Sequence, residues 1–127
     1  MINQDILKLA HNNHMISEKE LYESYKIFFG TLVSEPRLKI INLLRNKKRT
    51  VSEIMDKLKM DQTSISHNLA RLKKCGFVKS EVEGKFRCYT LNKETIKPLI
   101  EIIDKHMSKY CIHILRAMKV GIKNEKQ

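Results

Sequence analysis

The sequence predicts a mainly α chain with one small β-hairpin, an α+β class, on three observations. Capping signals recur ahead of amphipathic runs. Ser17 with Glu20, and Thr50 with Glu53, have the spacing of reciprocal capping boxes, and Ser34 and Asp61 are single N-caps. Apolar residues between these signals return at helical spacing. Finally, two runs of β-formers, Phe77 to Glu83 and Phe86 to Leu91, flank Gly84 and Lys85, which supply a tight turn. Two short capped helices joined by a turn and followed by a basic hairpin is the order of a winged helix-turn-helix. The expectation is one domain over residues 1–127, with no Pro/Gly-rich linker or internal repeat to divide it. Its first core helices lie within 17–49, the helix-turn-helix at 50–76, the wing at 77–91 and a last helix at 95–120.

Taken in order, residues 3–14 are weakly amphipathic through Ile6, Leu7, Ala10 and His14. The helix opened by Ser17 carries Leu21, Tyr25, Phe28 and Leu32 on one stripe, suited to core or dimer surface, and Gly30 would ease close packing. Ser34 caps the next helix, with Pro36 in its first turn where a missing N–H costs nothing and Leu38, Ile41 and Leu44 facing inward. After Thr50, Val51, Ile54, Met55 and Leu58 share a buried face, and the helix ends near Lys59 and Met60. Asp61 then caps a helix whose Ile65, Leu69 and Leu72 face inward, and Cys75 and Gly76 end it, Gly taking the left-handed C′ conformation cheaply. In the hairpin, Tyr89 and Leu91 pack back onto the helices. The last helix, roughly Thr95 to Val120, has Pro98 in its first turn. Its apolar face is too wide for a monomer of this size, so it should pack against both the domain and a symmetry mate.

The solvent face of the helix after Asp61 points to its chemistry. At roughly 100° per residue, Thr63, Ser66, His67, Ala70 and Lys74 point away from the buried stripe, with Ser64 and Arg71 on its flanks. This face is small, polar and basic, and no acid follows Asp61. Short hydroxyls and an imidazole let a helix enter a major groove and hydrogen-bond base edges, and Gln62 at its start can reach an adenine edge or a phosphate. An ordinary solvated face would more typically carry Glu and Lys pairs. Lys79, Lys85 and Arg87 give the wing positive charge for phosphates or a minor groove.

Three stretches carry a family resemblance: Glu35-Pro36-Arg37-Leu38-Lys39-Ile40; Asp61-Gln62-Thr63-Ser64-Ile65-Ser66-His67-Asn68-Leu69; and Glu83-Gly84-Lys85 with Tyr89. Over residues 20–111 the chain resembles the ArsR/SmtB family of dimeric winged-helix repressors. The resemblance implies that Gln62, Thr63, Ser66 and His67 hold the base-reading positions, the set that helical geometry selects independently. It also implies a homodimer through the last helix and the helix from Ser17 to Val33.

Composition agrees with a nucleic-acid partner. The chain has 25 Lys plus Arg against 14 Asp plus Glu, a formal charge of +11, far beyond what solubility needs. Basic patches occur at Arg45, Lys47, Lys48 and Arg49, along Arg71, Lys73 and Lys74, and at Lys119, Lys123 and Lys126. No apolar run approaches the roughly 18 residues needed to span a membrane, and Asn3, Gln4 and Asp5 do not begin a signal peptide. Cys75, Cys88 and Cys111 are an odd number in no disulfide framework. A cytosolic protein is expected.

Sensor chemistry is less legible. Asp104 and His106 match the first half of the zinc site that the resemblance implies, but Ala117 and Val120 stand where its second pair of ligands belongs. His106 and His113 on one continuous helix would sit about 10 Å apart along the axis, too far to chelate one ion with Zn–N bonds of about 2.0 Å. Only a crossing partner helix could close a site from Asp104, His106, Cys111 and His113, for Zn²⁺ or a similar ion. The competing reading is interface histidines and a buried Cys111 thiol. Thr50 and Ser52 stand where a thiolate-rich sensor of the family would need cysteines, and His11 and His14 have no Cys or carboxylate companions. No phosphate-cradling loop, activated nucleophile or HExxH spacing suggests an enzyme. The competing function is an architectural DNA-binding protein or a winged-helix interaction module.

Overall fold

The computed structural model describes residues 16–125. The helix expected at 3–14, with His11 and His14, lies outside the described residues, as does Lys126. Nine elements follow in order: α1 (Glu18–Leu32), α2 (Glu35–Leu44), β1 (Arg49–Thr50), α3 (Val51–Leu58), α4 (Gln62–Lys74), β2 (Val78–Glu83), β3 (Phe86–Leu91), α5 (Ile96–Lys109) and α6 (Cys111–Glu125). They form two compact units, one ending at Thr90 and one beginning at Leu91.

In the first unit the four helix starts are made as the sequence predicts. Ser17 and Thr50 complete reciprocal capping boxes with Glu20 and Glu53, while Ser34 and Asp61 accept from the backbone N–H of Arg37 and Ser64. The buried centre consists of Ile40, Ile41, Leu44, Ile54, Ile65, Leu69, Leu72, Phe77 and Val78, each at most 3% exposed. Phe28 lies against Phe77 with ring centroids 5.2 Å apart. Four expectations need correction. Leu38 is exposed and Ile40 takes the inward place, because the start of α2 turns its Leu38 face to solvent. Phe77 precedes the strand and is fully buried, filling the core below α4. A Cβ added at Gly30 would meet nothing within 4 Å, so no close approach requires that glycine. The hairpin is also one edge of a three-stranded sheet of order β1-β3-β2. Arg49 pairs with Tyr89 and Thr50 with Cys88, antiparallel. A strand of two residues, the second of which also caps α3, gives no alternation from which it could be read.

The turn of the hairpin has Gly84 at φ +60°, the positive value that the first linking position of a type II′ turn requires. Lys59 ends α3 in the left-handed region at φ 55°, with no glycine to make it cheap.

In the second unit, Asn92 Oδ1 accepts from the backbone N–H of Glu94 and Thr95, ordering the chain into α5. Thr95 makes no side-chain cap. The single last helix expected from 95 to 120 is two helices, broken at Tyr110, whose φ of −125° and ψ of −69° leave the α region. In the turn that ends α5, the Ser108 hydroxyl donates to the Lys105 carbonyl at 2.8 Å. Serine hydroxyls compete in this way for helix carbonyls. The His106 and Tyr110 rings lie 4.7 Å apart across the same turn. The wide apolar face expected along one helix from Thr95 to Val120 is therefore not continuous. Ile102, Met107 and Tyr110, and on α6 Ile114, Leu115, Met118 and Val120, are exposed apolar side chains. No helix among the described residues is long and apolar enough to cross a membrane.

Candidate nucleic-acid interface

Helix α4 is held from one side. Ile65, Leu69 and Leu72 are completely buried, so the helix cannot rotate about its axis without exposing all three. That fixes what it shows outward. Gln62, Thr63, Ser66, His67, Ala70, Arg71 and Lys74 are exposed, and Ser64 is half-buried. Asp61 Oδ1 accepts from the Ser64 N–H at 2.7 Å, so the first turn is pinned at the end from which Gln62 and Thr63 project. Every candidate the sequence places on this helix is on the face or flank expected of it.

The wing contributes a second charged surface. Lys79, Lys85 and Arg87 are exposed, with Lys85 in the turn itself. Arg87 donates through Nη1 to Ser80 Oγ at 3.2 Å, which orients its guanidinium along the hairpin. The basic patch at 45–49 is less open than its sequence suggests. Lys48 forms an ion pair and hydrogen bond with Glu83 at the end of β2. The hydrogen bond from Lys48 holds the Glu83 carboxyl below its ordinary range, and the same bond raises the Lys48 ammonium above its own. Arg49 is half-buried in β1. Cys88, behind the pair, is a buried thiol whose pKa is raised by desolvation and then by the Glu83 charge.

A polar network that the sequence does not reveal sets the pose of α4 against α1. Helix α1 ends with four carbonyls that have no partner within the helix. Phe29 O accepts from Val33 N–H at 2.9 Å and Leu32 O from Ser34 N–H at 2.8 Å. The other two are served by one side chain of α2: Arg37 Nε donates to Thr31 O at 2.6 Å and Nη2 to Gly30 O at 3.3 Å. α1 has no basic residue in its own last turn, so Arg37 also places there the positive charge that a helix C-terminus favours. Its Nη1 reaches Asn68 Oδ1 of α4 at 3.4 Å, and Asn68 Nδ2 donates to Ser64 O at 2.9 Å. Thr31, 0% exposed, donates from Oγ1 to Ile27 O at 2.7 Å and accepts from Arg71 Nε at 3.2 Å. The same oxygen is 3.3 Å from Cys75 Sγ. Arg71 is thus both an exposed cation beside the presented face and a tether to α1. Its partner lies 40 positions away in the chain, so no local pattern could announce it.

The second unit carries the residues expected of a sensor. Asp104 is half-buried and His106 exposed on α5, whereas Cys111 and His113 are exposed on α6 beyond the break. The buried Cys111 of the competing reading is not found within this chain. Among the described residues no three His, Cys, Asp or Glu side chains gather where they could hold a metal ion. The four residues of one chain do not make a ligand set.

Residues 34–80, from the cap of α2 to the first half of β2, match the family described as bacterial regulatory protein, arsR family. An uncharacterised helix-turn-helix transcriptional regulator of Methanocaldococcus jannaschii is 37% identical over 87 residues, which are 68% of this chain and 98% of that protein. The transcriptional activator HlyU of Vibrio cholerae is 28% identical over 79 residues, 62% of this chain and 73% of HlyU. The structure of reduced HlyU superposes with a TM-score of 0.60 at 26% identity, covering 73% of this chain and 95% of that one. The homodimeric winged helix-turn-helix DNA-binding domain of a possible ArsR-family regulator from Mycobacterium bovis gives a TM-score of 0.68 at 26% identity, covering 77% and 93%. With its two capped helices, three-stranded wing and these relatives, the chain belongs to the ArsR family of helix-turn-helix transcriptional regulators.

Proposed function

We propose that this regulator reads a specific site in duplex DNA as a homodimer, with α4 in the major groove and the β2–β3 wing on the flanking backbone or minor groove. One observation carries the reading: α4 presents Gln62, Thr63, Ser66 and His67, short polar side chains with no acid among them, on a helix locked by three fully buried residues. Base readout needs that combination, since a rotating helix could not hold donors and acceptors opposite base edges. The Mycobacterium bovis relative is a homodimeric DNA-binding domain. Tyr22, Tyr25 and Phe29 of α1, and the exposed apolar residues of α6, are surfaces that a second copy would cover. The reading places the protein in the cytosol with its DNA and gives it a regulatory role without catalysis.

Repression is the expected sign, by steric competition at a promoter, although the relative HlyU is named an activator. The same DNA-reading surface serves either outcome, depending on where the site lies. A Zn²⁺-type effector at Asp104, His106, Cys111 and His113 would have to draw ligands from both subunits. No step of the proposed function passes through such an ion.

The test is selection of duplexes from a random pool, followed by affinity measurements on selected and scrambled sequences. The selected site should be an imperfect inverted repeat with half-sites about 34 Å apart. His67→Ala and Ser66→Ala should each relax preference at particular base pairs by about 1–3 kcal/mol while the fold persists. Equal affinity for selected and scrambled duplexes would instead make this an architectural DNA-binding protein.

A further inference from the structure

Between the C-terminal half of α1 and the last turn of α4 lies a cavity of about 400 Å³, lined by Ser24, Ile27, Phe28, Arg71, Lys74 and Cys75. Its volume is within the range of small-molecule sites, which span roughly 300–1,000 Å³. Its two walls differ in kind. Ile27 and Phe28 make an apolar side, and Phe28 is braced by its stack on buried Phe77. Opposite stand two cations of the DNA-reading helix, Arg71 and Lys74. No carboxylate lines the cavity, and among the described residues no ion pair neutralises either cation. Arg71 is also fixed in place: its Nε is held by Thr31 Oγ1, which is itself anchored to the Ile27 carbonyl, while its Nη atoms have no hydrogen bond among the described residues. Ser24 Oγ donates to the Glu20 carbonyl and so turns only acceptor lone pairs outward.

An apolar wall facing a pinned guanidinium and a lysine is complementary to one kind of small molecule. We propose that this cavity binds an organic carboxylate with an apolar body, of the size of a phenylalkanoate or a medium-chain fatty acid. The carboxylate takes the Nη atoms of Arg71 and the ammonium of Lys74, and the body lies on Ile27 and Phe28. Both cations sit at the edge of the α4 face assigned to DNA. A bound carboxylate withdraws them from phosphates and adds a negative charge beside the duplex, so ligand and operator oppose each other, and by linkage to the same extent. This regulatory consequence rests on the operator-binding reading, whereas the binding site itself does not.

Calorimetric titration of the purified dimer with 4-phenylbutyrate and with octanoate, at constant ionic strength and without DNA, tests the site directly. Both acids should bind, while 4-phenylbutanamide, which lacks the charge, and inorganic phosphate, which lacks the apolar body, should bind at least tenfold more weakly, roughly one 1.4 kcal/mol step. Saturating acid should lower operator affinity by about 5- to 150-fold, the usual span of such couplings. Ser24→Trp fills the cavity from an exposed position away from the DNA face. It should bind operator like the wild type and lose the response to acid. Its indole, the sole Trp of that variant since the chain has none, reports burial by fluorescence. Equal binding of the amide, equal release by phosphate, or an undiminished response in Ser24→Trp would overturn the proposal. So would failure of both acids to bind; an indole shielded from acrylamide only in the dimer would then show that a second copy fills the cavity. Because the calorimetry contains no DNA, loss of the operator-binding reading would leave its result intact.

Discussion

Replacing Arg37 by Met keeps the aliphatic stem and removes the guanidinium that closes α1, so the energetic effect can be worked out bond by bond. The shortest contact, Nε to Thr31 O at 2.6 Å, is a hydrogen bond from a cation to a helix-terminal carbonyl. Such bonds contribute roughly 1.5–3 kcal/mol. Arg37 is half-buried, and solvent screening takes its contribution toward the lower end of that range. The bonds to Gly30 O at 3.3 Å and Asn68 Oδ1 at 3.4 Å are long and add at most about 0.5 kcal/mol each. Thr31 is inaccessible to solvent, so its carbonyl cannot readily recover a partner from water. The expected loss is about 2–3 kcal/mol. Arg37→Lys should recover about half, because a single ammonium reaches one acceptor where the planar fork reaches three. Urea unfolding at one fixed dimer concentration measures this as a lower midpoint with unchanged slope. Operator affinity of the folded variant should fall too, since Asn68 loses its tie to α2. If Arg37→Met stays within about 0.5 kcal/mol of wild type, or Arg37→Lys matches wild type, then water serves these carbonyls and the network does not set the pose of α4.

Three further outcomes are expected. Lys85→Ala and Arg87→Ala should weaken binding to all duplexes alike, each lowering the slope of log K against log salt by about 0.9; a change confined to particular base pairs would make the wing a base reader. Hydrogen bonds from the Thr50 backbone and then from its hydroxyl hold the Glu53 carboxyl below its ordinary 4.5, and Lys48 does the same for Glu83. Both groups therefore contribute stability that is present above the ordinary carboxylate pKa and is lost as pH falls through their depressed values. Thermal melts of Glu53→Gln with Glu83→Gln should show a flatter decline below pH 4.5, and an unchanged decline would assign acid unfolding to other groups. Lys59→Gly should raise stability by roughly 0.5–1 kcal/mol by relieving a left-handed non-glycine residue, while Gly84→Ala should lower it by about 1 kcal/mol through backbone strain alone, since its Cβ would meet nothing. Opposite signs in the same denaturation assay are required.

What the sequence discloses here is whatever is encoded within about four residues. Thr50 and Glu53, or Asp61 and the Ser64 N–H, are local pairs, and the Ile65, Leu69 and Leu72 stripe depends only on helical pitch, so the helices, their caps and the outward face of α4 could all be read in advance. The misses share the opposite property. β1 exists because Arg49 and Thr50 meet Tyr89 and Cys88, about 40 residues on, and Arg37 and Arg71 matter because α1 ends beside them. Lys48 reads as a free phosphate contact until folding brings Glu83 to it. The break at Tyr110 escaped for another reason: periodicity assumes a continuous helix, and neither Pro nor Gly warns of the interruption between Lys109 and Cys111. That break matters to function, because Asp104 and His106 now belong to one helix and Cys111 and His113 to the next. Any effector that acts through all four must hold a joint between helices in one pose, as well as a dimer interface, and such a joint is easier to bias than a continuous helix. The cavity beside Arg71 needs no such joint. Its cations are already part of the DNA-reading helix, so a carboxylate there changes the charge of the interface without any part of the fold having to move.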